Sequence, residues 1–252
     1  MDRLALLGDP AVRSAFGREL GRDIEYHVAI GSTQDRAREL ARVAGAHPVV
    51  VVADQQTAGH GRGEKSWLSE PGASLLASWV FQPAPAEPAL FTLLAGVAVV
   101  RALRTLGVAD LGLKWPNDVW LNAGKLAGCL AHGTGTEVVI GIGVNVFQRE
   151  LPRELAGIAT TLTRAGHDID RLALLARVTT ELEAVADPAN RDGALAEWRD
   201  RSVTLGREVE VIVTPFEAFR GRAIELADDG ALLVETAYGQ QRVLAGEVRV
   251  LG

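Results

Sequence analysis

The amino-acid sequence predicts an α+β protein, in which a mixed β-sheet backed by helices is followed by a small β-barrel. The first observation is that apolar strand-like runs alternate with helical segments through residues 1–201. The second is a change of pattern from Ser202 onward, where short alternating strands are separated by turn residues. The third is length, since 252 residues suit one large domain with a small one attached. We therefore place the domains at 1–201 and 202–252.

Local signals support the elements of the first domain. Ser32 and Thr33 are N-cap candidates for the second helix, and Gly45 is its C-cap candidate. The apolar helix at 87–106 is interrupted by Arg101, which is typical of a core helix and not of a membrane span. The predicted elements, in chain order, are a helix at 10–20, a strand at 24–30, a helix at 32–45, strands at 48–54 and 74–82, a helix at 87–106, three strand segments at 111–118, 119–133 and 136–146, and helices at 170–186 and 190–201.

The second domain carries the pattern of short antiparallel strands. Asp228–Gly230 has the Asp-Asp-Gly sequence that is typical of a hairpin turn. The predicted strands lie at 207–214, 219–227, 231–236 and 241–251.

Composition and charge exclude several functional classes. The formal net charge is −6 and the isoelectric point about 5.5, so no long-range field favours nucleic acid or an anionic membrane. Cys129 is the only cysteine, and no secretory signal pattern opens the chain. The five histidines lack metal-ligand spacing, so no structural metal is predicted. We expect a cytoplasmic protein without specific DNA or membrane partners.

The glycine-rich loop at 55–73 contains a segment, "GHGRGEKS", that is similar to a nucleotide P-loop. Glu64 stands where that motif requires its last glycine, and a strand follows where it requires a helix, so a P-loop is excluded. The segment still has the parts of an anion cradle, because its glycines allow close backbone approach and Arg62 and Lys65 add positive charge. A flexible surface loop is the alternative.

The strand segment "GIGVN" at 141–145 lacks the third, helix-opening glycine of a dinucleotide-binding motif. Its glycines indicate instead a strand that another backbone or a ligand approaches closely. Asn145 ends this apolar segment, and a buried amide there requires hydrogen-bond partners.

The block "KWPNDVWLNAGKLAG" at 114–128 combines two lysines with an Asn-Asp pair. Structural scaffolding alone would explain its proline, its tryptophans and the Asn-Ala-Gly turn. Lys125, however, is followed closely by Ala127 and Gly128, which leave space beside the strand. A lysine next to such space is placed to meet a ligand.

Five short motifs follow one another along the chain. They are "STQ" at 32–34, "QTAGHGR" at 56–62 with Trp67 five residues on, "KWPND" at 114–118, "KLAG" at 125–128 and "GIGVN" at 141–145. Taken together and in this order, they resemble the biotin protein ligases. The order matters because each motif alone is weak, and the resemblance covers nearly the whole chain. The final strands, with "LG" at 205–206 and "DDGALLV" at 228–234, are similar to the SH3-like C-terminal domain of that family.

The resemblance implies a ligase that activates biotin with ATP to biotinyl-5′-AMP, releasing pyrophosphate, and then transfers biotin to a lysine of the biotin carboxyl carrier protein. It implies Lys125 and Arg62 as catalytic residues, Mg²⁺ as cofactor, and Asn117 and Asp118 either orienting Lys125 or helping to hold that ion. The biotin-binding residues it implies are Ser32, Thr33, Gln34, Gln56, Gly59, His60, Gly61, Arg62, Lys125 and Gly128. The ATP-binding residues it implies are Arg62, Lys65, Trp67, Asn117, Lys125 and Asn145.

Two departures from the family pattern stand out. His60 and Lys65 replace two arginines that the loop carries in its relatives, and fewer than about thirty residues precede the first strand, too few for the helix-turn-helix domain of the DNA-binding members. We expect a monofunctional ligase, with a homodimer allowed. A lipoate ligase of the same fold and an inactive biotin-binding module are the alternatives.

Overall fold

A computed structural model describes residues 2–42, 48–63, 65–134, 136–148, 151, 155, 157–214 and 216–251. The helices are α1 Pro10–Leu20, α2 Thr33–Ala41, α3 Pro88–Thr105, α4 Arg171–Ala186 and α5 Arg191–Asp200. The strands are β1 Asp23–His27, β2 Val49–Ala53, β3 Ser74–Phe81, β4 Leu111–Lys114, β5 Asp118–Leu121, β6 Gly124–Thr134, β7 Glu137–Asn145, β8 Glu208–Thr214, β9 Glu217–Leu226, β10 Leu232–Thr236, β11 Gly239–Val243 and β12 Glu247–Val250.

The first seven strands form one sheet in the order β1-β2-β3-β7-β6-β5-β4. β1 and β2 pair in parallel, and the other neighbours pair antiparallel, so the sheet is mixed as the sequence predicts. β2 is buried along its whole length, which fits its unbroken run of valines.

One face of this sheet packs against α3 and α4. On β3 and β7 every second residue points to that face, and these side chains join the main hydrophobic cluster with both helices. α3 is long and apolar enough to span a membrane by length and composition, but 72% of it is buried inside the protein. It is therefore a core helix, as the sequence predicts.

The opposite face is covered in two different ways. Toward β1 and β2, helix α2 lays Ala37 and Ala41 against Val51, Val80 and Val139 in a second, smaller cluster. Toward β6 and β5 the covering segment is the glycine loop that joins β2 to β3, whose Trp67 contacts both β6 and β7. This second half of the face holds the motifs that the sequence analysis selects.

The C-terminal strands form a five-stranded antiparallel sheet in the order β11-β10-β9-β8-β12. This is the small SH3-like unit that the sequence predicts, and the Asp228–Gly230 turn joins β9 to β10. Trp115 connects it to the first sheet, because the Trp115 indole N–H donates to the Gly230 carbonyl oxygen at 3.0 Å. The domain boundary between residues 201 and 202 stays a prediction.

Four predicted strands have different bounds in the structure. The strand expected at 111–118 ends at Lys114, because residues 115–117 form a turn and Asp118 begins β5. The strand expected at 24–30 ends at His27, because the chain turns away there and Ile30 instead bridges to Gln56. The segment 119–133 forms a hairpin of β5 and β6, since Asn122 adopts a left-handed φ of 54°. The segment 241–251 likewise divides into β11 and β12 around 244–246.

Helix α2 begins as predicted but ends earlier than predicted, at Ala41, with Arg42 as its C-cap. Ser32 is the N-cap, and its hydroxyl accepts a hydrogen bond from the Asp35 backbone N–H at 3.3 Å. Gly45, the predicted C-cap, lies outside the described residues.

Candidate active site

The floor of the candidate site is built from glycines on two neighbouring strands. Gly128 of β6 pairs directly with Gly143 of β7, and Gly141 lies two residues further along the same face. A glycine in a strand weakens it, but here the missing side chains open a hollow in a surface that would otherwise be filled. The sequence analysis expected this space at Ala127 and Gly128; Gly128 opens onto the hollow, whereas Ala127 belongs to the main hydrophobic core.

Trp67 lies in this hollow. A Cβ atom at Gly143 would come within 2.5 Å of the Trp67 ring, and one at Gly128 within 3.0 Å, so both positions require glycine while the ring is there. The Trp67 indole nitrogen is buried and has no hydrogen-bond partner among the described residues. A buried donor without a partner is costly, which favours a ligand or a rearrangement that would satisfy it.

Lys125 stands at the edge of the hollow. Its Nζ lies 2.6 Å from Oδ1 of Asp118 and 5.7 Å from the centroid of the Trp67 ring. The two residues are on adjacent strands that the hairpin aligns, with a register shift between Val119 and Trp120. The ion pair holds the lysine ammonium over the floor, so of the two roles expected for Asp118 the geometry favours orienting Lys125.

A hydrogen-bonded group lies at the inner end of the hollow. The Gln56 side-chain oxygen accepts from both the backbone N–H of Thr33 at 2.8 Å and its hydroxyl at 2.9 Å. The Thr33 hydroxyl also lies 2.9 Å from the Ser78 hydroxyl. The Gln34 amide nitrogen donates to the Leu130 carbonyl oxygen at 2.6 Å. These polar side chains are oriented by one another before any ligand binds.

The glycine loop folds back on itself over the floor. The Trp67 backbone N–H donates to the Gly59 carbonyl oxygen at 2.9 Å, and the Gly61 N–H donates to the Lys65 carbonyl oxygen at 2.6 Å. A Cβ at Gly59 or Gly61 would approach backbone oxygen within 2.9 Å. The two glycines therefore permit a tight double-stranded loop that puts Trp67 in place.

The loop cations face the C-terminal unit. The Arg62 guanidinium donates to the Gly246 carbonyl oxygen and lies 5.8 Å from the Trp115 ring centroid. Burial lowers the pKa of Arg62, against the opposing effect of Asp118 and Glu247. Arg62 thus lies within electrostatic reach of the carboxylate that orients Lys125.

The two asparagines expected near the nucleotide are placed differently from each other. The Asn145 amide is buried and donates to the Thr160 carbonyl oxygen at 3.1 Å. Asn117 uses its backbone oxygen to accept from the Cys129 N–H at 2.9 Å. Both brace strand β6 and the segment beside it, since Thr160 also bonds the backbone of Lys125.

Comparisons with known proteins show the family of this chain. Residues 29–145 match the biotin/lipoate A/B protein ligase family, and residues 204–251 match the biotin protein ligase C terminal domain. The bifunctional ligase/repressor BirA of Bacillus subtilis is 33% identical over 97% of this chain and 79% of its own length. The biotin–[acetyl-CoA-carboxylase] ligase of Mycobacterium tuberculosis is 36% identical over 90% of this chain and 88% of its own. The chain belongs to the biotin protein ligase family.

A solved member of the family has the same architecture. The biotin protein ligase from Aquifex aeolicus in complex with biotin and ATP superposes with a TM-score of 0.75 at 30% identity, covering 90% of this chain and 98% of that one. The predicted fold, a mixed sheet with helices followed by an SH3-like unit, is confirmed.

The two departures from the biotin protein ligase loop pattern each have a carboxylate partner here. His60 Nε2 lies 2.7 Å from Oδ2 of Asp35 in α2. Lys65 Nζ lies 2.6 Å from Oε2 of Glu247 in β12, and that hydrogen bond lowers the pKa of the Glu247 carboxyl. The replaced residues therefore tie the loop to helix α2 on one side and to the C-terminal unit on the other.

Gly246 and Glu247 are site neighbours that the sequence analysis did not select. They lie more than 180 residues from their loop partners, with a separation of 184 for Arg62 and Gly246 and 182 for Lys65 and Glu247. A single acidic residue at the start of a short strand forms no recognisable sequence motif. Its part in the site is seen only when the two units pack together.

Proposed function

We propose that this chain uses ATP to convert biotin to biotinyl-5′-AMP and then transfers the biotinyl group to a lysine of a biotin carboxyl carrier protein. Family membership supports a ligase of the biotin protein ligase type. The observation that carries the proposal is the position of the Lys125 ammonium, held by Asp118 over a glycine floor between polar biotin-binding candidates and the loop cations.

The first half-reaction brings two anions together. A biotin carboxylate oxygen attacks the α-phosphorus of ATP, the bond from that phosphorus to the bridging oxygen breaks, and pyrophosphate leaves with the electron pair. Much of such a barrier is electrostatic, so a preoriented cation where charge develops lowers it most. Lys125 is the residue we place between carboxylate and α-phosphate, and Arg62 is the second cation of this step.

The biotin end of the site requires hydrogen-bond groups of both kinds. The ureido ring of biotin carries two N–H donors and a carbonyl acceptor on an apolar body. Thr33 and Gln56 offer hydroxyl and amide groups already oriented by the contacts between them. A site of this kind rejects analogues that lack the matching polar atoms. The other members of our biotin-binding assignment are Ser32, Gln34, Gly59, His60, Gly61, Arg62, Lys125 and Gly128.

The nucleotide end of the proposed site lies toward the loop and the C-terminal unit. Trp67 would gain a stacking partner in the adenine ring when it leaves the glycine hollow or when the base packs on its free face. Lys65 would exchange its ion pair with Glu247 for one with an ATP phosphate when the nucleotide binds. The remaining members of our ATP-binding assignment are Arg62, Asn117, Lys125 and Asn145.

A magnesium ion fits this arrangement only together with nucleotide. Among the described residues no group of three or more histidine, cysteine or acidic side chains could hold a metal ion. Mg²⁺ in nucleotide sites commonly needs one or two carboxylates besides the phosphates. Asp118 is the carboxylate that would serve, and the ion would supply additional neutralisation of phosphate charge.

The second half-reaction transfers the biotinyl group. A carrier lysine amine attacks the carbonyl carbon of the mixed anhydride, the bond from that carbon to the phosphate oxygen breaks, and AMP leaves while the amine loses a proton. We further propose that the acceptor is a carrier domain of a biotin-dependent carboxylase and that the reaction takes place in the cytoplasm. The acidic net charge of −6 supports the proposal that no specific DNA is bound.

Mass spectrometry after incubation with ATP, Mg²⁺ and biotin tests this function. We expect biotinyl-5′-AMP on the protein, and a mass increase on a biotin carboxyl carrier domain when that is added. A parallel incubation with lipoate should yield no adenylate. Adenylate from lipoate but not from biotin would establish the lipoate ligase alternative, and binding of biotin without any adenylate would establish the inactive module.

A further inference from the structure

Lysine is rare in this chain, and every lysine lies at the candidate site. Of the 26 basic residues only Lys65, Lys114 and Lys125 are lysines, and all the others are arginines. Arginine and lysine are not interchangeable, since lysine is a compact point charge and arginine a planar fork. A chain that uses arginine almost everywhere else has lysine in the one place where three anionic phosphates would have to be met.

Lys114 is the first residue of the KWPND motif, but the mechanism proposed above gives it no role. It ends β4, where it pairs across the strands with Asp118 of β5. Directly opposite residues share a face and would be expected to form an ion pair. Asp118 instead contacts Lys125 at 2.6 Å, and Lys114 makes no ion pair or hydrogen bond with the described residues. Its neighbouring carboxylate is already engaged.

The surroundings of Lys114 make an unpaired charge costly. The side chain is half-buried, and its Nζ lies 5.0 Å from the centroid of the Trp120 ring. Burial lowers the pKa of Lys114 more than nearby carboxylates raise it, and Lys125 and Lys65 lower it further. A partly desolvated ammonium close to other cations is stabilised best by an anion that the protein itself does not supply.

The local charge balance points the same way. Four cations, Arg62, Lys65, Lys114 and Lys125, act on one another and on only two carboxylates, Asp118 and Glu247. The cluster thus has an excess of positive charge inside a chain whose net charge is −6. Such a local field attracts a polyanion and not a singly charged ligand.

The order of the strands gives Lys114 its place relative to Lys125. From the glycine floor outward the sheet runs β7-β6-β5-β4, so Lys125 on β6 is next to the floor and Lys114 on β4 is at the sheet edge. The proposed mechanism places the α-phosphate at Lys125, and Lys114 is the lysine further out from the floor that no described carboxylate pairs with. We propose that Lys114 binds the β- and γ-phosphates of ATP and stabilises the pyrophosphate that leaves.

In the reaction step this role has a definite consequence. When the bond from the α-phosphorus to the bridging oxygen breaks, the electron pair remains on pyrophosphate, and the Lys114 ammonium faces the charge that develops there. The second half-reaction contains no pyrophosphate, so Lys114 has no part in it. This inference rests on the proposed function. It predicts that loss of Lys114 slows only the first half-reaction, whereas loss of a purely structural residue would slow both.

The experiment compares Lys114→Met with the wild-type protein in each half-reaction. ATP–pyrophosphate exchange with biotin should show kcat/KM for ATP reduced about ten- to a hundredfold, the range that one hydrogen bond to a charged group supports, with KM for biotin unchanged. Transfer from preformed biotinyl-5′-AMP to a biotin carboxyl carrier domain should keep its rate, which also shows that the variant is folded. Equal losses in both half-reactions, or no loss in the first, would overturn the assignment.

Two further variants act as controls. Lys114→Arg keeps the charge and should recover most of the affinity for ATP; if it is as impaired as the methionine variant, the charge is not what matters. Arg104→Met removes one positive charge from the exposed end of α3 and should change neither half-reaction.

A binding measurement keeps the inference separate from the proposed function. Calorimetry with inorganic pyrophosphate and Mg²⁺ should show weaker binding by Lys114→Met than by the wild type, with no biotin present. If the wild type forms no biotinyl-5′-AMP, the proposed function is wrong. If the wild type and Lys114→Met bind pyrophosphate equally, only the role of Lys114 is refuted and the proposed function stands.

Discussion

Strands β3 and β7 serve two different purposes on their two faces. On the face toward α3 and α4, their residues are large and apolar, and they belong to the main core. On the opposite face, β7 carries Gly141 and Gly143, and β3 carries Ser78, which is bonded to Thr33. Neighbouring residues on one strand therefore have unrelated tasks, and a substitution is expected to affect either stability or catalysis according to its face.

The closest contrast is between Ile142 and Gly143. Ile142 is 3% exposed and packs in the core, while Gly143 lies under the Trp67 ring on the other face. The first position needs volume because interior packing is dense. The second position must lack a side chain, because the Trp67 ring and, in our proposal, a ligand must approach the backbone there.

The largest effect should come from the open face, at Lys125. Lys125→Ala removes the cation that we place between carboxylate and α-phosphate, and adenylate formation should fall at least roughly a hundredfold, as for the loss of one oxyanion-hole donor. The melting temperature should change little, since the lysine side chain is partly exposed. Adenylate formation within a factor of about three of wild type would remove Lys125 from its role.

The matching change on the core face is Ile142→Ala. Loss of a buried side chain and the resulting cavity should lower the free energy of unfolding by about 2–4 kcal/mol, measured by urea denaturation. At a temperature where the variant is folded, KM for biotin and ATP should be those of the wild type. A variant with normal stability but a weakened substrate affinity would break the division between the two faces.

Gly143→Ala tests the neighbouring position on the open face. A Cβ there would come within 2.5 Å of the Trp67 ring, but that ring is a side chain on a loop and can move. Unfolding free energy should therefore change by less than about 1 kcal/mol, whereas KM for biotin or ATP should rise roughly tenfold. Gly31→Ala, which meets no atom within 4 Å, is the matched control.

The smallest effect is expected for the ion pair between Lys65 and Glu247, which holds the loop that covers the open face. Glu247→Gln removes the ion pair to Lys65, whose side chains are 40% and 66% exposed, so the pair contributes at most about 1 kcal/mol. Trypsin cleavage after Arg62 and Lys65 should become up to about threefold faster at low salt, and the difference should vanish at high salt. Glu210→Gln, in a pair with Arg220, should leave cleavage unchanged. A loop cleaved equally in all three proteins would show that Glu247 does not hold it.

Much of the fold was determined locally and could be predicted. Helix α1 has the predicted bounds, and α3, α4 and α5 begin or end within a residue of them, because apolar periodicity and caps act over a few residues. The Asp170 side chain caps α4 by accepting from the Ala173 N–H at 2.8 Å. Strand ends were less accurate, since β1 ends where the chain leaves the sheet and not where the alternation ends.

The sequence by itself determined the residue types of the candidate site and their order along the chain: glycines on the floor, lysines and an arginine that we propose for anions, and polar side chains that we propose for a ureido ring. Only the tertiary structure decided that Trp67 lies in the glycine hollow and that Gly246 and Glu247 contact the loop. It also decided that Asp118 pairs with Lys125, so that Lys114 has no ion-pair partner among the described residues. The physical reason is range. Periodicity and turn chemistry act between neighbours, whereas these contacts join residues that only the packing of two sheets brings together.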